Sequence, residues 1–524
     1  MTRRPAVRLA ALALAAALGT AGAPLVAAAP SRAPLAPSGL EQRVREVRLD
    51  NGMRFLLLKR GTAPVFSGIL RFGVGSADDP GGETGLAHLF EHLAFKGTSR
   101  IGITDAEKEK PILDGLDSTA RELNAEMDRG DQADASRLKA LRAKMQELQK
   151  QERALVVRDE FSQILTENGG AGINASTGTD MTQYYVSLPA NRLELWCLLE
   201  SVRLRDPVLR EFYSERDVVE EERRFRIDNQ PQGKLYEQLL LTAYSAHPYR
   251  VPGVGWLSDL DRLTRPQAEA FHARYYVPGN AVGALVGDLD VGAAEALLKR
   301  YFGAIPGAPL PLKPPTVEPT QTGERRVTVE FDAEPSLMIG FHKTAATEPD
   351  DAVYEVIDGV LGSGRTGRLF RKLVTEQPIA AQVFTFEAPG RRFPSLYVIG
   401  GQPVAPHTLA DVEAGLLTEL KRLQETPVSE EELKKVRNQI ESDAVYAQRT
   451  NMGLASRLTQ FEILTGDWRG MLARDQALLK VTPTQIQEVA RRAFVPSNRT
   501  VAWLVRPQAE GAAEQPPSTG GARR

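Results

Sequence analysis

The stretch "PGAPLPLKPPTVEPTQT", residues 306–322, carries six prolines and divides the chain in two. Proline fixes φ and donates no backbone hydrogen bond, so this run reads as an extended, semi-rigid linker. The order of elements restarts beyond it. Ahead of it, "VREVRLDNGMRFLLLKR" alternates around Asp50-Asn51-Gly52 as a β-hairpin, and "PVFSGILRFGVGSADDP" is a strand that ends in a loop. Helices follow, then the turn and buried strand of "YYVPGNAVGALVGDLD". Past the linker come strands in "RRVTVEFDAEPSLMIGFHKT", a helix, Gly-rich turn and helix in "DAVYEVIDGVLGSGRTGRLFRKL", and the strand "SLYVIGGQPV". Long helices run from Thr408 to Leu464. A chain of 524 residues exceeds one ordinary core. The expected fold class is α+β, with two homologous domains at 40–305 and 323–506, each an antiparallel-rich sheet packed with helices.

Residues 105–160 interrupt the first domain with a charged, Ala-rich composition that lacks aromatics. Leu138, Leu141, Met145 and Leu148 recur at 3-4-3 spacing, and "DRGDQADAS" breaks the pattern. This predicts an inserted antiparallel coiled-coil hairpin. It is either an arm that docks a partner or gates substrate, or a solvated insertion packed on its own domain. Residues 1–29 have the basic start, short apolar run and small residues of a bacterial signal peptide, which implies an exported, periplasmic or secreted protein. The tail, 507–524, is expected to be disordered.

With 65 basic and 67 acidic residues the net charge is −2, which gives no reason for a polyanionic partner and argues against nucleic-acid binding. No membrane span is expected in the mature chain. Cys197 is the only cysteine, so an intramolecular disulfide and a thiolate metal cluster are both excluded. Its apolar setting, "LELWCLLESV", makes it a buried small residue.

The chemistry gathers in "GLAHLFEHLAFKGT", residues 85–98. On a helix His88 and His92 share a face and can direct two imidazoles at one ion. Zinc suits such a pair with a carboxylate and an open position for water. Glu91 then serves as the base that takes the water's proton and later delivers it to the leaving amine. The order is inverted relative to H-E-x-x-H. A third ligand is sought in "FYSERDVVEEERRFR", a helix whose apolar positions are Phe212, Val218, Val219 and Phe225. Glu215 and Glu222 are two turns apart and share a face, which fits one ligand and one acid that orients the site. Among Glu215, Glu220, Glu221 and Glu222 the residues alone leave the choice open.

Five segments carry a family resemblance: His88-x-x-Glu91-His92, "NAST" at 174–177, "SERDVVEEERR", "HPYRVPGVGW" and "YYVPGNAVGALVGD". They resemble the pitrilysin/insulinase-type zinc peptidases, which include the mitochondrial processing peptidase and its bacterial relatives. The resemblance runs from about residue 44 to 506. It implies one zinc per chain, with Glu222 as third ligand beside His88 and His92, Glu91 as catalytic base and Glu215 as the supporting glutamate. Asn174 and Ala175 match the strand edge that pairs with substrate backbone. It further implies a zinc endopeptidase that cuts peptides or unfolded segments in an enclosed chamber. The alternative is a non-catalytic peptide-binding or scaffold subunit.

Two departures from the family pattern stand out. His92 and Glu222 are farther apart than is usual, an excess that the hairpin accounts for. The family's downstream Arg and Tyr, which stabilise the reacting carbonyl, are replaced by Val374 and Ala381, and Arg368 and Arg371 lie in other helix phases. The resemblance therefore implies a heterodimer with a related subunit that carries Arg and Tyr, a homodimer being the other possibility. His247, His272, His342 and His407 have no ligand partners at suitable spacing and are read as structural.

Overall fold

The computed structural model describes residues 37–61 and 63–507. The expected signal peptide and the tail from 508 onward lie outside these residues. Two sheets carry the fold. The first contains β1 (Arg45–Arg48), β2 (Arg54–Lys59), β3 (Val65–Phe72), β4 (Ala171–Thr177), β5 (Thr182–Pro189) and β6 (Ala281–Gly287), in the order β1-β2-β6-β3-β5-β4. The second contains β7 (Arg325–Glu330), β8 (Ser336–Lys343), β9 (Ala380–Ala388), β10 (Ser395–Pro403) and β11 (Arg499–Val505), in the order β7-β11-β8-β10-β9.

The two orders superimpose. β2 runs parallel to β6 as β7 runs parallel to β11, and every other neighbour is antiparallel. β1 is an extra strand, the first arm of the hairpin that turns at Asn51-Gly52. The mixed α/β architecture with a repeated sheet agrees with the expected α+β fold of two homologous domains.

Strand alternation explains how these sheets are covered. In β2, Phe55 and Leu57 face one apolar core while Leu56 and Leu58 face another. The first core is filled by helices of the first half, among them Leu193–Arg205, which buries Trp196 and Cys197. The second is filled by Leu454, Ala455, Leu458, Trp468 and Met471, from helices Asn451–Thr465 and Gly470–Lys480 of the second half and the turn between them. The exchange is reciprocal. Helix Pro231–Ala243 of the first half places Leu235, Leu239 and Leu240 against Met338, Leu396 and Val398 of the second sheet. With both faces covered, every residue of β6 is buried, which is why "AVGALVG" is continuously apolar.

Polar contacts fix the halves to each other. Arg392 pairs with Asp78 at 2.9 Å, and Asp180 accepts from the backbone N–H of Arg391 and Arg392 and from the Tyr249 hydroxyl. The linker is pinned where the Glu318 carboxylate accepts from the backbone N–H of Ser245, Ala246 and His247, while Leu312 and Val317 beside it stay exposed.

The inserted hairpin consists of helices Ala106–Met127 and Ala135–Arg153, each begun by an aspartate that caps its first turn. A single antiparallel bridge, Ile103 to Val156, closes its base, so the chain leaves and returns at one point. Leu113, Leu116, Ala120 and Met145 join the core of the first half, so the hairpin packs on its own half.

Leu458 tests the reciprocal cover. It is fully buried against a sheet that belongs to the other half of the sequence. Leu458→Ala is expected to cost about 2–5 kcal/mol in urea unfolding followed by tryptophan fluorescence. A cost well under about 1 kcal/mol would mean this face is not a packed core.

Candidate metal centre

The motif helix, Leu86–Leu93, begins at Gly85, whose φ of 94° lies in the left-handed region. A Cβ there would meet the Val254 carbonyl oxygen at 2.7 Å, so both conformation and space require glycine. The Asp79 carboxylate accepts from the backbone N–H of Gly85 at 2.8 Å and of Ala87 at 2.9 Å, satisfying donors that the first helical turn leaves free. Leu86, Leu89, Phe90 and Leu93 are buried and lock the helix into the core. His88 and His92 then share the opposite face, their ring centroids 4.9 Å apart.

A second helix, Phe212–Arg223, lies against the first. Phe212, Tyr213 and Val219 are its buried stripe. Val218 and Phe225, expected on that stripe, are instead 49% and 69% exposed. At helical spacing both fall on the face away from Phe212 and Val219, and the backbone widens to a π-turn just beyond, at Arg224–Asp228. Arg223 anchors the helix end: it is buried, donates to the Gly255 carbonyl at 2.7 Å and pairs with Glu237 at 2.7 Å.

This packing brings the residues of the motif together. His88 Nε2 is 3.6 Å from Glu222 Oε1, and His92 Nε2 is 3.5 Å from Glu222 Oε2. One ligand atom from each of His88, His92 and Glu222 lies within 4.8 Å of the others. His92 Nδ1 is 3.4 Å from Glu215, whose other oxygen is 2.5 Å from Lys96 Nζ. Glu220 and Glu221 pair with Arg224. Arg226 pairs with Glu222 at 2.7 Å. Lys96 and Arg226 were not singled out from the sequence, although each stands four residues beyond a member of the site, His92 and Glu222.

Charge and burial act differently on the two imidazoles. Burial holds His88 neutral, with a pKa lowered to about 4, and neutral imidazole is the metal-binding form. Burial also pulls His92 down, but hydrogen bonds to Glu215 and Glu222 outweigh it and raise the pKa to about 9. Burial likewise opposes ionisation of Glu215 and Glu222, yet His92 with Lys96, and His92 with His88 and Arg226, keep both below the usual carboxylate range. The proton on His92 thus balances two carboxylates. A divalent cation held by His88, His92 and Glu222 would supply the same balance and release that proton. Two imidazoles and a carboxylate are a donor set that fits zinc, and Glu215 on Nδ1 is the orienting acid such a ligand needs.

Glu91 stands on the same helix, half-buried, near Thr177 of β4. Burial pushes its carboxyl above the usual range, against the opposing pull of Thr177. β4 is the edge of its sheet, paired on one side only with β5. Asn174 is exposed there, Ala175 is buried, and the Asn174 side chain accepts from the Ala175 N–H at 2.9 Å. Val374 is half-buried against the second core and Ala381 is exposed on β9. Arg368 is held by Glu432 through two contacts of 2.7 and 2.8 Å, and Arg371 lies 3.4 Å from Glu376.

The remaining histidines stand apart from the cluster. His247 Nδ1 accepts from the Tyr249 N–H, the Nε2 atoms of His272 and His342 face the carbonyls of Leu204 and Ala243, and His407 is 3.9 Å from Asp411.

Comparison with known proteins gives the chain's family. Residues 54–133 match the family described as Insulinase (Peptidase family M16), and residues 262–440 match the Peptidase M16 inactive domain. Zinc protease PqqE of Helicobacter pylori is 26% identical over 471 residues, covering 87% of this chain and 92% of that protein. A crystal structure of a protease from Helicobacter pylori superimposes with a TM-score of 0.73 at 23% identity, covering 88% of this chain and 99% of its own. The first half of the periplasmic protease PqqL from Escherichia coli gives 0.65 at 16% identity, over 89% and 92%. Both structural likenesses bear on the fold, and the sequence matches extend them to the motif: the chain belongs to the insulinase-type M16 peptidase family.

Proposed function

We propose that this chain is a zinc-dependent endopeptidase that cleaves peptides or unfolded polypeptide segments. It would carry one zinc, held by His88, His92 and Glu222, in a first domain spanning 40–305, with 323–506 as the peptidase-like counterpart. The observation that carries the reading is the convergence of one ligand atom from each of these three residues within 4.8 Å, with Glu91 on the same helix.

When bound, zinc supplies Lewis acidity that polarises the scissile carbonyl and acidifies water. The chain's own residues do the rest. A substrate strand adds to the free edge of β4 at Asn174 and Ala175 by backbone hydrogen bonds, which orients it without reading its sequence closely. Glu91, with its raised pKa, accepts a proton from the attacking water. The water oxygen bonds to the carbonyl carbon, the C–N bond breaks, and Glu91 returns the proton to the leaving nitrogen. Glu215 accepts from His92 Nδ1 and keeps Nε2 turned toward Glu222.

No donor for the developing oxyanion stands at Val374 or Ala381. This supports a partner, a related subunit that brings Arg and Tyr into an enclosed chamber, or else a second copy of the chain. The same two residues favour the second reading, a weakly active or non-catalytic subunit that binds peptides or scaffolds such a complex. Export to the periplasm is supported by the signal-like residues 1–29 and by the periplasmic relative. Among the described residues no helix is long and apolar enough to cross a membrane.

Two measurements separate these readings. Zinc at a hundredfold its Kd is expected to stabilise the chain by about 2.7 kcal/mol, and His88→Ala abolishes that increment in thermal unfolding. Glu91→Gln keeps zinc by elemental analysis but lowers peptide cleavage by about 10²- to 10⁴-fold, assayed with the partner present. Unchanged cleavage by that variant would remove Glu91 as the base, and no cleavage by the parent with any partner favours the scaffold.

A further inference from the structure

The hairpin inserted between the motif helix and its third-ligand helix reaches the metal site through a run of contacts, the first of them at a buried arginine. Arg210, immediately ahead of helix Phe212–Arg223, is 0% exposed. Its Nε and Nη2 donate to Glu109 of the hairpin at 2.7 and 3.2 Å. Its Nη1 donates to the carbonyls of Lys96 and Ile101, and Nη2 also to that of Thr98, each at 2.8 Å. All five guanidinium N–H donors are thereby used. Those carbonyls belong to the loop that leaves the motif helix, so one side chain joins that loop, the hairpin and the start of the ligand helix.

The other hairpin helix acts on the next residue. Glu152 is buried, and its Oε1 accepts from the Glu211 backbone N–H at 2.5 Å. Glu211 is the N-cap of the ligand helix and has a φ of 56°, a left-handed conformation that a glutamate adopts only under constraint. Two further contacts follow along the chain: Asp117 accepts from the Tyr213 hydroxyl at 3.0 Å, and Gln149 reaches Ser214 at 3.5 Å. The hairpin thus touches residues 210, 211, 213 and 214 in turn, and Glu215 comes next. Lys96, whose carbonyl Arg210 holds, sends its own ammonium to Glu211 at 3.2 Å and to Glu215 at 2.5 Å.

We infer that Glu109 and Glu152 are positioning residues: through Arg210 and the Glu211 N–H, the inserted hairpin sets the register in which Glu215 and Glu222 meet the two histidines. This rests on the metal reading above. Removing a hairpin carboxylate leaves both ligand helices folded but frees the ligand helix to shift relative to the motif helix. The effect should therefore appear in metal affinity and not only in overall stability. An outer partner that orients a ligand is worth about 10- to 100-fold in metal affinity.

The test compares the parent chain with Glu109→Gln, Glu152→Ala, Glu152→Gln and, as a control on the exposed hairpin face, Lys139→Ala. Zinc affinity is measured by chelator competition, and amide hydrogen exchange at residues 215–223 is followed in zinc-free protein. Glu109→Gln and Glu152→Ala are expected to weaken zinc binding about 10- to 100-fold and to speed exchange in that segment. Glu152→Gln, which still offers an oxygen to the Glu211 N–H, restores most of the affinity, and Lys139→Ala changes neither readout. If Glu109→Gln fails to fold, the Glu152 pair decides. Variants that melt earlier yet bind zinc as tightly as the parent would reduce the hairpin to a stability element and overturn the inference. If the parent binds no zinc, the metal reading fails separately; parent-like exchange at 215–223 in the variants overturns the inference in that case too.

Discussion

Each sheet of this protein is apolar on both faces, and its own half of the chain covers only one of them. The other face is covered by helices that belong, in sequence, to the opposite half. Hydrophobic burial therefore acts across the linker as well as within either half, at roughly 25 cal/mol per Å² of apolar surface removed from water. The linker has little to do beyond bridging the distance. Its prolines keep it extended, Glu318 ties it down, and its own apolar side chains stay in solvent.

Against that rigid frame the metal site is built from alternating charge. Lys96, Glu215, His92, Glu222 and Arg226 follow one another at ion-pair distance, with His88 held neutral at the dry end. Each carboxylate has a cation on both sides, so neither is left as an isolated buried charge, which would be costly. The arrangement also divides labour within one helix. Glu215 and Glu222, two turns apart, face the histidines, while Glu220 and Glu221 are drawn to Arg224.

The duplicated fold and the pairing of His88 with His92 on one helix face were legible in the sequence because they rest on local signals. The prolines of the linker, the alternation around Asn51-Gly52 and the four-residue spacing of His88 and His92 each specify geometry over a few residues. Glu222 needed the family resemblance, since four glutamates on one helix look alike until a partner helix selects a face. Phe225 misled for a different reason. At 3.6 residues per turn it falls with Val218 on the face away from Phe212 and Val219, so its apolar character, not its helical phase, suggested burial. The exchange of helices between sheets was hidden too, because a buried helix face carries no mark of which sheet it will cover. The hairpin's role was open for the same reason: nothing marks Glu109 and Glu152 among the many charges of that segment, and only the fold shows them to be buried.

Asp78 and Asp79 are neighbours in the chain that face opposite duties. Asp78 is clasped by Arg392 from the second half, and Asp79 starts the helix that carries both histidines. A hinge motion between the halves either breaks the Arg392–Asp78 pair or pulls on the peptide bond between these two aspartates. The first turn of the motif helix is thus wired to the far domain through a single residue step. Substitutions around Arg392, distant from His88 in sequence, would reach the His88–His92 pair, and the relative pose of the two halves becomes part of the geometry of the motif helix.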